Sequence, residues 1–245
     1  SLGKYFLKIK YNKIEKGYLH FVDAMIAVAN KDNKTALKSH KKMVMYLKDD
    51  PSLSLLLKSE VLKIEKKFPE LNNVYENMIK SKKTETLGYR GLMEQNLRDQ
   101  DYHHAFLYGE KLFSINPNIE KLYDTLIFIA AKTKNWNQII SLSKKAFSYK
   151  LISKNGLNEN KSIGFYEIAK IKFDSDIKDA LKNILKALEL KKNFAPYVKL
   201  HLEIILNLND NRNLKKLIRK YWSSNPSFLL RSILTKILND NNLTD

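Results

Sequence analysis

The side chains best suited to catalysis or metal binding in this sequence are its five histidines, which are His20, His40, His103, His104 and His201. None of them belongs to an H-E-x-x-H zinc motif, and the chain contains neither a G-x-S-x-G nor a G-x-x-x-x-G-K-[ST] segment. The adjacent pair begins a predicted helix, where neighbouring side chains diverge by about 100° and do not chelate one ion. Because cysteine is absent, a disulfide framework, a thiolate nucleophile and a cysteine metal site are excluded. The sequence therefore predicts no catalytic or metal site, and we expect a protein that is not an enzyme.

A second group of side chains suits binding instead. The candidates for a partner-binding groove are Arg90, Glu94, Arg98, Lys121, Asp124, Phe128, Lys132 and Phe165, all on the first helix of a predicted repeat. Charged residues mixed with apolar ones favour a peptide or helix that docks through a few apolar anchors and salt bridges. The alternative is that they form ordinary solvated helix surfaces. Phe128 and Phe165 favour binding, because large aromatic side chains facing a groove are unfavourable unless they are covered.

Helices must position these residues. Apolar side chains recur with helical spacing along nearly the whole chain, and no segment shows the sustained alternation of a strand. Breaks such as Asn116-Pro117 and Asn209-Asp210-Asn211 separate helices of about 12 to 17 residues. With only seven glycines in 245 residues, the chain is also poor in the residue that tight hairpins need. The predicted fold class is all-α.

The breaks repeat with a period of 34 residues. Asp101-Tyr102 is followed 34 residues later by Asn135-Trp136, and each pair lies in the predicted turn between two helices. Five interlocking positions shift by the same interval, so that Tyr89, Leu92, Ala105, Leu112 and Pro117 correspond to Tyr123, Leu126, Ile139, Ala146 and Leu151. This period is typical of tetratricopeptide repeats, in which helix A packs on its own helix B. Trp136 and Trp222 occupy interlocking positions and are predicted to lie in the core.

About six helix pairs account for the chain. The predicted units are 17–50, 52–83, 86–119, 120–153, 161–194 and 195–228, followed by a capping helix at 226–239. The last two units are again 34 residues apart but are offset by seven, and the extra length falls in an insertion at 151–157. Residues 1–16 form a basic helical segment ahead of a repeat domain that covers 17–245. These units predict one tetratricopeptide-like solenoid with a concave binding groove.

The formal net charge of +18 comes mostly from lysine, since only five of the 44 basic residues are arginine. Proteins that recognise phosphates favour arginine for its bidentate geometry, and here the lysines are spread along the whole chain. A bias to lysine, asparagine and isoleucine with scarce arginine is typical of an AT-rich genome. We therefore predict a solvated lysine surface, and a basic nucleic-acid-binding solenoid is an alternative that the composition disfavours.

The sequence contains no stretch of about 18 apolar residues, the length that a membrane-spanning helix needs. Lysines at positions 4, 8, 10, 13 and 16 interrupt the first segment, so we expect that it is not a signal peptide. Because the chain starts at Ser1 rather than at methionine, we expect it to be a piece of a longer protein. A lysine cluster such as Lys4–Lys16 is typical of the cytoplasmic flank of a spanning helix, and a solvated helix face is the alternative.

The segment Thr84–Leu92, TETLGYRGL, resembles the T-E-x-L-G-x-R-G-L segment of bacterial HemY proteins, which are tetratricopeptide proteins associated with haem biosynthesis. Further similarities follow that family's order: Gly17-Tyr18 with Ala24 to Ala29, Trp136 with Ala146 and Leu151-Ile152, and Trp222 with Asn225-Pro226. Lys31-Asp32 replaces the family's usual G-D. The resemblance runs through nearly the whole chain, and with the lysine bias it is most similar to alphaproteobacterial members.

The resemblance implies a bacterial inner-membrane protein in which two spanning helices precede this chain. We expect the repeat domain on the cytoplasmic side, because a two-helix hairpin returns the chain to its starting side and the basic segment fits a positive-inside flank. The resemblance also implies a link to late protoporphyrin and haem synthesis. Because the repeat pattern favours binding, we expect a scaffold that gathers enzymes of that pathway, and we expect no resident cofactor. The alternative is a tetrapyrrole-binding or catalytic protein, in which Arg90 takes a propionate of haem or protoporphyrin. Gly88 and Gly91 lack side chains and so permit close approach of a ligand or of a neighbouring helix, and packing between repeats alone is the other interpretation.

Overall fold

The computed structural model describes residues 2–48 and 51–224, together with 231, 232, 234, 235, 237 and 239. The described residues up to 224 form twelve helices: α1 Leu2–Ala29, α2 Asn33–Tyr46, α3 Pro51–Glu65, α4 Phe68–Met78, α5 Glu85–Arg98, α6 Tyr102–Ile115, α7 Leu122–Lys132, α8 Trp136–Ser148, α9 Lys154–Lys172, α10 Ile177–Leu190, α11 Ala195–Asn207 and α12 Asn211–Ser224. None of the described residues lies in a β-strand. The predicted all-α fold class is confirmed.

Consecutive helices form the A and B pairs that the 34-residue period predicts. The interlocking positions lie inside these pairs: Ala105 and Leu112 of α6 and Ala146 of α8 are fully buried, and Leu92 of α5 is nearly so. The alanines at two of these positions allow two helix axes to come close, which larger residues there would prevent. The helices and their buried spacing therefore form a tetratricopeptide-like fold.

The turns within the pairs follow the same period. The side chains of Asp32, Asp101, Asn135 and Asp176 each accept a hydrogen bond from a backbone N–H near the start of the helix that follows. Before three of these caps, Lys31, Gln100 and Lys134 adopt left-handed φ values of 58°, 60° and 53°. The N–H of Asp101 also bonds to the carbonyl of Asn96 at 2.8 Å, as in a Schellman motif. One residue thus ends helix A, and the next begins helix B.

The seven-residue offset between the two matched pairs of repeats lengthens helix α9. The caps Asn135 and Asp176 are 34 plus seven residues apart, and α9 takes up the difference by extending over 19 residues. Ser153 caps α9 by accepting a hydrogen bond from the N–H of Gly156 at 3.1 Å. Most of the predicted insertion at 151–157 is therefore the first turn of a long helix A rather than a loop.

Helix α1 continues without a break from Leu2 to Ala29, so residues 2–16 of the predicted basic segment and the first predicted helix A are one element. Its second half buries Ala24 and Ala27, whereas Leu7, Tyr11, Ile14 and Tyr18 are exposed; these exposed side chains recur at helical spacing. Across the described part of the chain, no helix combines the length and the apolar character that crossing a bilayer requires.

The chain divides into two compact units, Ser1–Leu122 and Tyr123–Asp245. The core of the first unit includes Tyr75, Met78 and Leu92, and that of the second includes Ile184 and Leu202. The predicted capping helix at 226–239 lies partly outside the described residues, as does Asn225-Pro226. Within that stretch the described positions are helical, and Leu234 and Ile237 belong to the core of the second unit.

Candidate functional site

Helices α3 and α5, the A helices of successive repeats, border a cleft of about 190 Å³ in the first unit. The lining residues are Leu56, Ser59, Glu60 and Lys63 from α3, Tyr75 and Met78 from α4, and Leu87, Arg90, Gly91 and Glu94 from α5. We call this site the α3–α5 cleft. Its position agrees with the use that helical-repeat proteins make of a concave surface.

Two glycines allow α5 to lie against the end of α4. A Cβ atom on Gly91 would stand 2.3–2.4 Å from three ring atoms of Tyr75. On Gly88 it would stand 2.8 Å from the carbonyl oxygen of Tyr75 and 2.9 Å from the nitrogen of Ile79. Both distances are far inside van der Waals contact, so neither site has space for a side chain. The two glycines serve packing between repeats, and Gly91 gives the Tyr75 ring its place beside the cleft.

Thr84, at the start of the T-E-x-L-G-x-R-G-L-like segment, is also structural. Its Oγ1 donates a hydrogen bond to the carbonyl oxygen of Met78 at 2.7 Å, and its side chain is buried. This bond ties the start of α5 to the end of α4. Of the residues that carry the HemY resemblance in this segment, Arg90 is the one whose charged end is exposed in the cleft.

Four charged side chains line the cleft as two ion pairs, one on each helix. The Nζ of Lys63 lies 2.6 Å from Oε1 of Glu60, and the Nε of Arg90 lies 2.8 Å from Oε1 of Glu94. Burial opposes the charge on Lys63, but its hydrogen bond to Glu60 and its interactions with Tyr75 outweigh that cost and raise the pKa of the ammonium. Burial also raises the pKa of the Tyr75 hydroxyl, which is therefore protonated at neutral pH.

The lining charges of the cleft sum to zero in a chain whose net charge is +18. Partly exposed ion pairs are worth only about 0–1 kcal/mol each, so these carboxylates and cations can exchange partners with charges on a docked chain at small cost. Leu87, with 44% of its surface exposed, offers an apolar contact beside them. The arrangement fits a peptide or helix that carries charges of both signs and one apolar anchor.

Two other predicted groove residues of the first unit are engaged elsewhere. The guanidinium carbon of Arg98 stacks 3.5 Å from the ring centroid of Phe68 on α4, and its Nε donates to Asp99 at 3.2 Å. Such a cation–π contact holds the Arg98 side chain against α4. Lys121 lies in the turn before α7, with a left-handed φ of 60°, and not on helix A as the repeat pattern predicts.

The remaining predicted groove residues belong to the second unit. Asp124 is exposed in the first turn of α7, where a carboxylate stabilises the helix N-terminus. Phe128 is half exposed, and the Nζ of Lys132 lies 5.7 Å from its ring centroid. Phe165 of α9 is partly buried against the core of the second unit, with the Nζ of Lys186 5.2 Å from its ring centroid. The structure thus brings Phe128 and Lys132 together, and the binding roles of these residues stay predictions.

Histidines contribute to packing and caps. His201 is buried, and its Nδ1 lies 2.8 Å from the hydroxyl of Tyr221. Burial lowers the pKa of His201 to about 4 and raises that of Tyr221 to about 12, so both are neutral near pH 7. His104 lies 2.7 Å from the carboxylate of Asp101 at the start of α6. Within the described residues, no three His, Asp or Glu side chains are grouped in a way that could hold a metal ion.

Neither tryptophan is fully buried in the core, where the repeat pattern predicts both of them. Trp222 is 42% exposed, so its assignment to the core is wrong. Tyr221 takes the core position on α12, and the next side chain along a helix points about 100° away. Trp136 is partly buried and lines a second cleft, of about 340 Å³, together with Ile168 and Ile171 of α9. Its indole N–H is buried without a hydrogen-bond acceptor among the described residues.

Sequence reasoning missed Glu60, Lys63 and Tyr75. The units at 17–50 and 52–83 match the repeat pattern only loosely, so no groove positions were assigned on α3. The available signal was the i,i+3 spacing of Glu60 and Lys63 on a predicted helix, which favours an exposed ion pair. The contribution of Tyr75 depends on its contact with Gly91, 16 positions away, and no local pattern reveals it.

No protein-family model and no curated protein matches this sequence. Among solved structures, the chain is similar to a chain of Naa15/Naa10 bound to HypK-THB, with 15% identity and a TM-score of 0.56. That match covers 94% of this chain and 35% of the other, so the chain spans about a third of that relative. A likeness at this identity shows the fold alone.

Two further solved structures match this chain over most of its length. A tetratricopeptide repeat protein from Parabacteroides merdae has 12% identity and a TM-score of 0.46, with 93% of this chain and 88% of that chain covered. The pilF protein of Pseudomonas aeruginosa has 12% identity and a TM-score of 0.43, with 92% and 99% covered.

Proposed function

We propose that this protein is a non-enzymatic protein-interaction scaffold that docks a segment of a partner protein in the α3–α5 cleft. The observation that carries the proposal is the pair of A helices that present ionic side chains of both signs and the exposed Leu87 around one cleft. The contacts of Gly88 and Gly91 hold α5 close against the end of α4 before any partner arrives. A preformed site loses less conformational entropy on binding than one that must be ordered.

The finer part of the proposal concerns the partners and the membrane. The similarity of Thr84–Leu92 to the HemY segment supports enzymes of late haem and protoporphyrin synthesis as partners, at the cytoplasmic side of a bacterial inner membrane. Tyr11 and Ile14 are exposed within the lysine cluster Lys4–Lys16, and Tyr18 is exposed just after it. These side chains on α1 support a position near an anionic bilayer. Flotation with vesicles of phosphatidylglycerol and phosphatidylcholine tests that position.

The docking site is tested by a double charge swap. In Arg90→Glu/Glu94→Arg the ion pair within α5 is kept and its orientation is reversed, so the fold is retained while the pattern facing the partner is inverted. Capture of haem-pathway enzymes by the full-length, detergent-solubilised protein is expected to fall about tenfold, the effect of losing about 1.4 kcal/mol. The matched control is Glu167→Lys/Lys170→Glu, which reverses an i,i+3 pair on α9 that does not line the cleft.

The two halves of the proposal fail separately. Equal capture by the wild type and by the α5 swap would remove the α3–α5 cleft as the docking site. If the wild type captures proteins but no haem-pathway enzyme, the haem assignment fails and the scaffold role stands. A Soret shift on titrating haem or protoporphyrin, lost in Arg90→Ala, would instead support the tetrapyrrole-binding alternative.

A further inference from the structure

Helix α12 concentrates positive charge on one exposed face. Its sequence, NRNLKKLIRKYWSS, contains five basic residues and no acidic one. Arg212, Lys216 and Arg219 follow one another at spacings of four and three residues, so they lie along one side of the helix, and all three are exposed. From the first to the last, this row extends about 10 Å at 1.5 Å per residue. Three of the five arginines in the chain occur after residue 211, and two of them, Arg212 and Arg219, belong to this row.

An exposed aromatic ring continues this face. Trp222 follows Arg219 by three residues, which makes the two side chains neighbours on the helix surface, and 42% of its surface is open to solvent. On the other side of α12, Leu214 is fully buried and Tyr221 nearly so, and both belong to the core of the second unit. Because these residues anchor the helix, the basic row and the indole are held outward together.

We propose that the exposed face of α12, formed by Arg212, Lys216, Arg219 and Trp222, binds single-stranded nucleic acid. The row of cations pairs with successive phosphates, and the indole provides a surface on which one base stacks. An acidic protein segment would use the cations but not the flat face of the indole. An anionic bilayer favours an apolar stripe beside the cations, and this face carries one large apolar side chain. This inference is independent of the α3–α5 cleft, which lies in the first unit.

The two tryptophans of the chain make a direct assay available. In Trp136→Phe, Trp222 is the sole tryptophan, so its fluorescence reports the α12 face of the full chain. Titration with a twelve-residue oligouridylate at about 50 mM salt is expected to quench this fluorescence through stacking. The logarithm of the binding constant should fall with the logarithm of salt concentration with a slope of about −2, as expected for three phosphate contacts at about −0.7 each.

Charge-reversal variants distinguish binding at the α12 face from non-specific attraction to the positive charge of the whole chain. With a labelled oligouridylate, Arg212→Glu/Arg219→Glu is expected to weaken binding at least about tenfold, and Trp222→Ala about tenfold through lost stacking. Lys178→Glu/Lys182→Glu is the control, because it reverses two exposed cations on α10, another B helix of the same unit. This control should change the affinity less than about threefold, since its lysines have no exposed tryptophan beside them.

Three outcomes would overturn the proposal. The first is the absence of any quenching or anisotropy change at about 50 mM salt. The second is equal weakening by the α10 and α12 charge reversals, which would indicate a diffuse polyanion surface. The third is that heparin, polyglutamate or phosphatidylglycerol vesicles bind the α12 face while oligouridylate leaves Trp222 fluorescence unchanged; that result would assign the face to another anionic partner.

Discussion

The α4–α5 contact of the first unit and the α11–α12 contact of the second join neighbouring helices by different physical means. At α4–α5, Gly88 and Gly91 bring the α5 backbone against Tyr75 and Ile79, with no room for a Cβ atom. At α11–α12, a buried histidine and tyrosine meet instead, with His201 Nδ1 2.8 Å from the hydroxyl of Tyr221. The stability of the α4–α5 contact depends on the absence of side-chain volume at Gly88 and Gly91. That of the α11–α12 contact depends on a hydrogen bond and on the protonation state of His201.

The difference teaches that a contact between successive repeats (α4–α5) and a contact within one helix pair (α11–α12) can be held together by different physical means. Close backbone packing gains dispersion contacts and tolerates no added atom. A buried polar pair tolerates small changes in shape but leaves a costly unsatisfied group when one partner is removed. The two contacts should therefore respond to different perturbations. Two experiments act on these contacts, and two others compare tight packing with hydrogen bonding elsewhere in the second unit; they follow from the largest expected effect to the smallest.

Replacing Gly88 with alanine should have the largest effect. The new Cβ atom would meet backbone atoms of Tyr75 and Ile79, which cannot rotate away as a side-chain end can. Overpacking of this kind costs about 1–3 kcal/mol, and we expect a loss of about 2–3 kcal/mol in the free energy of unfolding. Urea denaturation followed by far-UV circular dichroism measures it. A midpoint equal to that of the wild type would show that α4 and α5 can separate without cost.

Acidification should destabilise the second unit through His201. The pKa of His201 is lowered from 6.5 to about 4 on folding, so the unfolded chain binds the extra proton and stability falls as the pH drops from about 6.5 towards 4. Burial is the main cause, and the positive charge of Lys220 adds to it. Between pH 7 and pH 5 this shift corresponds to a loss of about 2 kcal/mol.

The control for this pH dependence is His201→Gln, which keeps a hydrogen-bonding end near Tyr221 and removes the titration. Unfolding in urea at pH 7 and pH 5 is followed by tryptophan fluorescence, because Trp136 and Trp222 both lie in Tyr123–Asp245. The wild type should lose about 2 kcal/mol more than the variant over this range. The same pH slope in both proteins would contradict a neutral, buried His201.

Removing a hydroxyl from the second unit should have an intermediate effect. The Tyr123 hydroxyl lies 3.0 Å from Oγ of Ser143 and accepts a hydrogen bond from Nδ2 of Asn160 at 2.8 Å, so it links α7, α8 and α9. Ser143 is fully buried, and Tyr123→Phe deprives its hydroxyl of this partner. We expect a loss of about 1–2 kcal/mol by tryptophan fluorescence in urea. An unchanged stability would mean that the three helices do not depend on this link.

The smallest expected effect is a gain in stability, in Gly156→Ala. Gly156 lies in the first turn of α9, and a Cβ atom there would approach other heavy atoms no closer than 3.7 Å. Alanine has the higher helix propensity, so Gly156→Ala should stabilise the second unit by about 0.5–1 kcal/mol. The opposite signs for Gly88→Ala and Gly156→Ala in the same assay would show that packing, and not glycine as such, decides the outcome. A lower free energy of unfolding for Gly156→Ala than for the wild type would contradict this explanation.

Much of the architecture could be predicted from local patterns. The 34-residue recurrence of Asp101-Tyr102 and Asn135-Trp136 predicted the turns, and both Asp101 and Asn135 cap helix B as expected for such residues. The basic row of α12 was also available to sequence reasoning, since the spacing of Arg212, Lys216 and Arg219 is visible in the chain. It was missed because the charge was judged over the whole sequence rather than by helix face.

The α3–α5 cleft was harder to predict from the sequence than the helices were. Arg90 and Glu94 form an ion pair on one face of α5, whereas the second ion pair that lines the cleft, Glu60 and Lys63, lies about thirty positions earlier on α3. Trp222 was assigned to the core although Tyr221 fills that place, because an error of one residue on a helix rotates a side chain by about 100°. Such errors arise where the pattern is loose and packing decides between adjacent residues.

The sequence by itself determined the helices, their caps, the 34-residue period and the net charge of +18, because these follow from residue types at short spacings. Only the tertiary structure decided that Tyr75 stands beside a charge-balanced cleft, that Gly88 and Gly91 serve packing, and that His201 is neutral. The physical reason is that contact, burial and pKa depend on which distant segments meet. That choice is set by how whole helices fit together and not by any one stretch of the chain.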